Sequence, residues 1–185
     1  MILNIFKKRR SIFPPQFNNE NVTDTEINTL LEAANWAPSH LKTEPWRFKV
    51  IKSESARKKF SEFISKTYKE KTSKFSEIKF KKLKGMPLKS QAIITICIQR
   101  DKTERMPEWE EIAAVAMAIQ NLWLQATKMD IGGFWSSPTF IINEIYRFFK
   151  LNKGETCLGF FYLGKYDEHP LEARREDISK KTIWL

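Results

Sequence analysis

The sequence predicts an α+β fold in which one sheet is wrapped by helices. Three observations predict it. Residues 92–98 and 156–163 are apolar runs of strand length, and residues 46–51 alternate apolar and polar as a half-buried strand does. The stretches between them carry apolar residues at helical spacing. The longest such stretch, residues 107–129, has a centre (Ile112, Val115, Ile119 and the alanines between them) that is apolar on every face. A helix of that kind is buried all round, either inside a core or against a second subunit. At 185 residues, the chain is expected to form one domain, residues 1–185, with a real core.

The elements follow in order. Ile2, Leu3, Ile5 and Phe6 suggest a short amphipathic helix that runs into Arg9, Arg10 and Ser11 and stops before Pro14 and Pro15. Thr23 and Glu26 have capping-box spacing, so a helix starts there. Ile27, Leu30, Leu31 and Ala34 give its apolar face, and Pro38 ends it near Ala37. Ser53 caps a helix from Glu54 to about Lys71. The segment from there to Lys89 is poorly patterned. Residues 132–137 read as a short extended segment, and residues 142–150 as a small helix. The tail from Lys165 is polar, yet ends in Ile183, Trp184 and Leu185, as an arm that docks on a partner would.

Charge and composition bound the function. Hydrophobic residues make up 42% and charged residues 29%, a globular balance. The net charge of +10 suits a solvated basic face, steering of anionic ligands, or nucleic acid. Residues 66–89 hold nine lysines against two glutamates, which favours a solvated or mobile segment, such as a lid, over a binding groove. No apolar run reaches transmembrane length, and the first residues lack a signal-peptide pattern, so a cytoplasmic protein with no membrane partner is expected. Cys97 and Cys157 lie in strand-like runs and read as buried thiols, with no metal-ligand cluster around them.

Side chains alone offer no reaction. His40 and His169 are far apart, and no nucleophile elbow or glycine-rich phosphate loop exists. The acids Glu108, Glu110 and Glu111 suit a helix start. No catalytic side chain is therefore expected, and a cofactor would carry any chemistry. Three segments remain. Arg9, Arg10 and Ser11 can grip a phosphate through charge-assisted bonds, or form a solvated basic cluster. Ala37, Pro38, Ser39 and His40, then Pro45 and Trp46, put an imidazole and an indole in a turn. Gly132, Gly133, Phe134, Trp135, Ser136 and Ser137 permit close backbone approach to something flat, or mark a strand entry with a bulge.

Taken in order, these three motifs and the closing run from Gly159 to Gly164 resemble the nitroreductase family, most closely its short members with histidine in the Ala-Pro-x-His turn. The resemblance implies an intertwined homodimer with a mostly antiparallel sheet and FMN at the subunit interface. Arg9, Arg10 and Ser11 would hold the phosphate and ribityl chain. Trp36 and His40 would approach from the turn, from the other subunit, with Trp46 shaping the pocket. Trp135, Ser136 and Ser137 would line the opposite side. Hydride would come from NADH or NADPH in a ping-pong cycle, and a nitroaromatic, quinone or enone would accept it. Two rivals stand: a flavin-binding protein of the same fold without NAD(P)H turnover, and a basic nucleic-acid-binding module. Two positions depart from the family pattern. Ile12 to Pro15 lacks a basic residue shortly after the Arg-x-Ser pattern, and Glu44 stands where glutamine precedes the Pro-Trp pair.

Overall fold

A computed structural model describes residues 2–168 and 173–185; His169 lies outside them. Its centre is a four-stranded antiparallel sheet in the order β1–β2–β4–β3. The strands are β1 (Trp46–Ile51), β2 (Ala92–Gln99), β3 (Ile131–Ser136) and β4 (Glu155–Lys165). The α+β class is as expected, and the alternating segment and the two apolar runs form β1, β2 and β4. The segment 132–137 is a full edge strand, because β3 pairs with β4 from Ile131 opposite Lys165 to Ser136 opposite Phe160.

Each face of the sheet carries its own core. On β2, Ala92, Ile94, Ile96 and Ile98 face one layer, while Ile93 and Cys97 face the other. This is the two-residue period of a strand buried on both faces. The first layer holds α2 (Asp24–Asn35) and α5 (Glu108–Lys128), which pack on each other and bury Leu30, Val115, Ile119 and Leu122. The second holds α3 (Glu54–Lys71) and α6 (Thr139–Ile142), with Phe60, Ile64 and Ile141 against Phe160 and Tyr162. Helix α1 (Ile2–Lys8) lies outside, touching α5. The capping box forms as expected: Glu26 N–H donates to Thr23 Oγ1, and Thr23 N–H to Glu26 Oε2.

Two segments differ from expectation. The lysine-rich stretch is not a loose loop. Helix α4 (Glu77–Lys89) folds back on α3, where Ser61 Oγ donates to Lys84 O and Arg57 donates to Ser90 O. Tyr68, buried in α3, accepts from Ser76 N–H and contacts Phe75. These contacts come from the preceding helix, and Ser76 caps the start of α4 by accepting from Lys79 N–H, so the segment is packed, which counts against a free lid. The expected helix at residues 142–150 starts earlier instead, at Thr139 after Pro138, and continues as a 3₁₀ turn, Ile145–Arg147.

A bulge sets the end of the sheet beside the edge strand. Ile96 pairs with Gly159 and Cys97 with Cys157, so Leu158 has no partner. Both cysteines are buried and free, as expected. Gly159 has φ +149°, and a Cβ there would lie 2.5 Å from Trp135 Nε1 and 2.7 Å from Ser136 O. Trp135 can cross β4 only because that side chain is absent. Helix α4 offers the opposite case, since a Cβ on Gly85 would meet nothing.

Gly159→Ala is therefore expected to cost about 1–3 kcal/mol of stability. Gly85→Ala should add up to ~1 kcal/mol by helix propensity. Urea unfolding of both variants checks the pair; equal midpoints would contradict this packing.

Candidate functional site

The site begins where the chain leaves α1. Beyond Lys8 it straightens and lies along the outer edge of β3. Ser11 forms a parallel bridge with Gly133, and Ile12 N–H donates to Gly133 O at 3.0 Å. The first and third sequence motifs, more than 120 residues apart, are thus joined backbone to backbone. A Cβ on Gly133 would strike the Phe161 ring at 2.5 Å, so this junction needs glycine.

Arg9 lies with its guanidinium 4.5 Å from the centre of the Trp123 ring on α5. A stacked guanidinium is held in place while its edge stays free to donate. Burial, then the charges of Arg10 and Arg175, push its pKa below the ordinary value. The guanidinium remains charged, but three arginines crowd together. An anion relieves such crowding. Arg10 and Arg175, with Lys7 and Lys8, line an open cleft of about 1000 Å³ that also includes Tyr166. The tail thus returns a basic residue to the first motif.

The third motif divides its roles. Trp135 is half-buried, and its indole N–H is enclosed without an acceptor among the described residues. Its ring packs over Gly159 and so sets the course of the strand. Ser136 is half-buried and Ser137 exposed. Phe134 packs on Phe13, with ring centres 4.5 Å apart.

The turn motif lies elsewhere. Trp36 caps α2 and is 79% exposed, with its indole N–H on Glu32 at 2.8 Å. His40 Nδ1 is 2.6 Å from Glu110 Oε2 at the start of α5. An ionised carboxylate only accepts, so Nδ1 carries the proton and Nε2 is left for a ligand. Leu41, Lys42 and Glu44 all have φ between +42° and +52°. Residues forced into that region by their surroundings concentrate at functional loops. Ser39 Oγ accepts from Glu44 N–H and braces the loop. Trp46 is buried, its indole N–H donated to Asn35 Oδ1 at 3.0 Å, so this side chain belongs to the core behind the turn.

Arg9 and His40 therefore contact opposite ends of α5. Thirteen residues of helix separate Trp123 from Glu110, a rise of about 20 Å. Within one chain the phosphate-type cluster and the turn do not meet. Two residues were not visible from sequence. Trp123 read as one more apolar position of α5. Glu110 read as a helix-start acid, 70 residues from the histidine it holds. The neighbouring Glu111 is buried against Arg100 at 3.0 Å and fixes that end of α5 to the residue following β2.

Comparison with known proteins decides the family. The model of the nitroreductase family matches residues 6–165. This chain belongs to the nitroreductase family. Among curated relatives, "Putative NAD(P)H nitroreductase YfhC" of Bacillus subtilis (strain 168) is 30% identical over 179 residues, covering 96% of this chain and 91% of that protein. "Putative NAD(P)H nitroreductase YdjA" of Escherichia coli (strain K12) is 27% identical over 143 residues, covering 77% and 76%. A nitroreductase-like family protein from Bacillus cereus superposes with TM-score 0.82 at 27% identity, covering 100% of this chain and 96% of the other. A protein from Desulfovibrio desulfuricans solved in complex with FMN shares the fold, with TM-score 0.76 at 22% identity and coverage of 100% and 96%. Among the described residues, no helix of this nitroreductase-family protein is long and apolar enough to cross a membrane, and no group of His, Cys, Asp or Glu could hold a metal ion.

The arginine cluster predicts anion binding. Inorganic phosphate at 100 times its Kd should stabilise the fold by about 2.7 kcal/mol. Arg10→Ala should lose most of that gain. A thermal-shift titration with phosphate and with chloride at equal ionic strength measures it. Equal shifts for the two salts would count against a site.

Proposed function

We infer that this nitroreductase-family chain is an FMN-dependent NAD(P)H oxidoreductase that works as a homodimer. One observation carries the reading. The three-arginine cluster is attached to the glycine edge of β3, at the opposite end of α5 from the strained turn that presents His40. A flavin mononucleotide needs both a dianion site and a wall for its ring system. The arginine cluster fits the first within one chain, and a two-fold partner would bring the turn as the second.

The exposed apolar surface favours such a partner. Trp109, Ile112 and Met117 stand exposed on α5, on the side away from the buried Ala114, Val115, Ala118, Ile119 and Leu122. Ile178, Ile183, Trp184 and Leu185 stand exposed on the tail. A second copy would cover both, which accounts for a helix whose centre is apolar on every side.

Each residue then has a task. Arg9 and Arg10 bind the phosphate, with Arg175 adding charge. The Ser11–Gly133 junction fixes the distance between that phosphate and the strand. Ser136 and Ser137 offer hydroxyls to the polar edge of the ring system. From the partner, Trp36 covers a face and excludes water, while Glu110 keeps the proton of His40 on Nδ1 and presents Nε2. FMN held there would supply the redox chemistry between NADH or NADPH as donor and an oxidised acceptor such as a nitroaromatic, quinone or enone. The protein contributes position and charge. The basic surface steers the phosphorylated donor. The cytoplasm, as one domain spanning residues 1–185, is the setting this reading requires.

The test is spectroscopic. Purified protein mixed with FMN should show flavin absorption after gel filtration, and riboflavin, lacking phosphate, should be retained at least tenfold more weakly. Anaerobic NADPH or NADH should bleach the bound flavin. Protein that retains no flavin and gains no thermal stability from FMN would sink the reading. Retained flavin that no nicotinamide bleaches would point to a carrier.

A further inference from the structure

An open hollow lies between the lysine-rich helix α4 and the segment that follows the arginines. Its volume is about 300 Å³. Its apolar walls include Phe13, Pro14 and Met86, and its cations are Lys81, Lys82 and Lys89. On α4, Lys82, Gly85, Met86 and Lys89 fall at i, i+3, i+4 and i+7, which is one face of a helix. The two outer lysines stand about 10 Å apart along it, with the glycine and the methionine between them.

Three features point to a ligand. Lys81 pairs with Glu77 at 3.7 Å, but no carboxylate among the described residues pairs with Lys82 or Lys89. Gly85 is a poor helix former in the interior of a helix. No protein atom requires it, since a Cβ there would meet open space. The hollow also shares Phe13 with the edge of the site already described, because that ring packs on Phe134 and stands two residues beyond Ser11. Three residues of the departure noted in the sequence, Phe13, Pro14 and Pro15, thus form an apolar wall of this hollow, while Ile12 is buried.

We propose that the hollow between α4 and the Phe13–Pro14 segment binds a compact aromatic carboxylate. Its ring lies against Phe13, Pro14 and Met86 over Gly85, and its carboxylate pairs with Lys82 or Lys89. The volume suits a one- or two-ring acid rather than a whole dinucleotide, and cations at both ends of the floor reject an aromatic ammonium. The binding claim stands on the hollow alone. Its consequence for turnover, a preference for anionic aromatic acceptors, rests on the reductase reading above.

The test is a calorimetric titration of the full chain with 2-naphthoate, run with and without added FMN. Naphthoate is not reduced, so its binding is measured even if the reductase reading fails. The charge-reversed variant K82E/K89E should bind at least tenfold more weakly. Gly85→Leu, which fills the hollow from a position with free space, should do the same while the melting temperature holds or rises. 2-Naphthylmethylammonium should bind at least tenfold more weakly than naphthoate to the unmodified chain. For the reductase, the ratio of kcat/KM for 4-nitrobenzoate to that for nitrobenzene should fall about tenfold in K82E/K89E. Three results would each overturn the proposal: no naphthoate binding by the unmodified chain, equal binding by both variants, or equal binding of the ammonium compound.

Discussion

The candidate site depends on one backbone contact, the attachment of residues 11 and 12 to Gly133 on the edge of β3. An edge strand leaves a row of N–H and C=O groups without partners. Here the chain leaving α1 takes up part of that row and so ends the sheet. The same contact delivers Arg9 and Arg10 to the strand that carries Ser136. Glycine at 133 lets Phe161 come close beneath it, and Phe161 in turn meets Trp123 edge-on with ring centres 5.1 Å apart. Trp123 then supports the Arg9 guanidinium. Sheet edge, core aromatic and phosphate-type cation form one connected stack.

Helix α5 acts as the spacer of the molecule. Its first turn holds His40 through Glu110 and is fastened by the buried Glu111–Arg100 pair, while a later turn holds Arg9. A buried ion pair contributes little net stability, but removing one partner leaves an uncompensated charge, so this pair acts mainly to locate the helix start. Rigid spacing explains why the two parts of the site stay apart within one chain. The same helix leaves Trp109, Ile112 and Met117 exposed, so the apolar surface open to a second copy lies on the element that spaces His40 from Arg9.

Much of this was legible in the sequence because the signals were local. The Thr23–Glu26 capping box, the alternation of residues 46–51 and the apolar runs of β2 and β4 each follow from short-range chemistry, and each formed. The motif order identified the family. What was not legible is non-local. Helix α4 has a local cap in Ser76, but its apolar residues form no clean stripe and Pro87 lies inside it, so its extent depends on packing against Ser61, Arg57 and Tyr68 of α3. The pairing of His40 with Glu110 spans 70 residues. Nothing local distinguishes Trp46 from a pocket indole; its burial follows from donating its N–H to Asn35, 11 residues away. The end of the helix after β3 depended on where Pro138 let it begin.

The central claim is that each flavin site draws its phosphate cluster from one subunit and its turn from the other. Mixed dimers test it most directly. Arg10→Ala and His40→Ala homodimers each lack one component in both sites, whereas a dimer with one chain of each kind regains one intact site by symmetry. Tandem-affinity purification of that mixed dimer should recover about half of the wild-type NADPH-driven bleaching of bound FMN, well above either parent. A mixed dimer no better than its parents would contradict a shared site and return the whole pocket to a single chain.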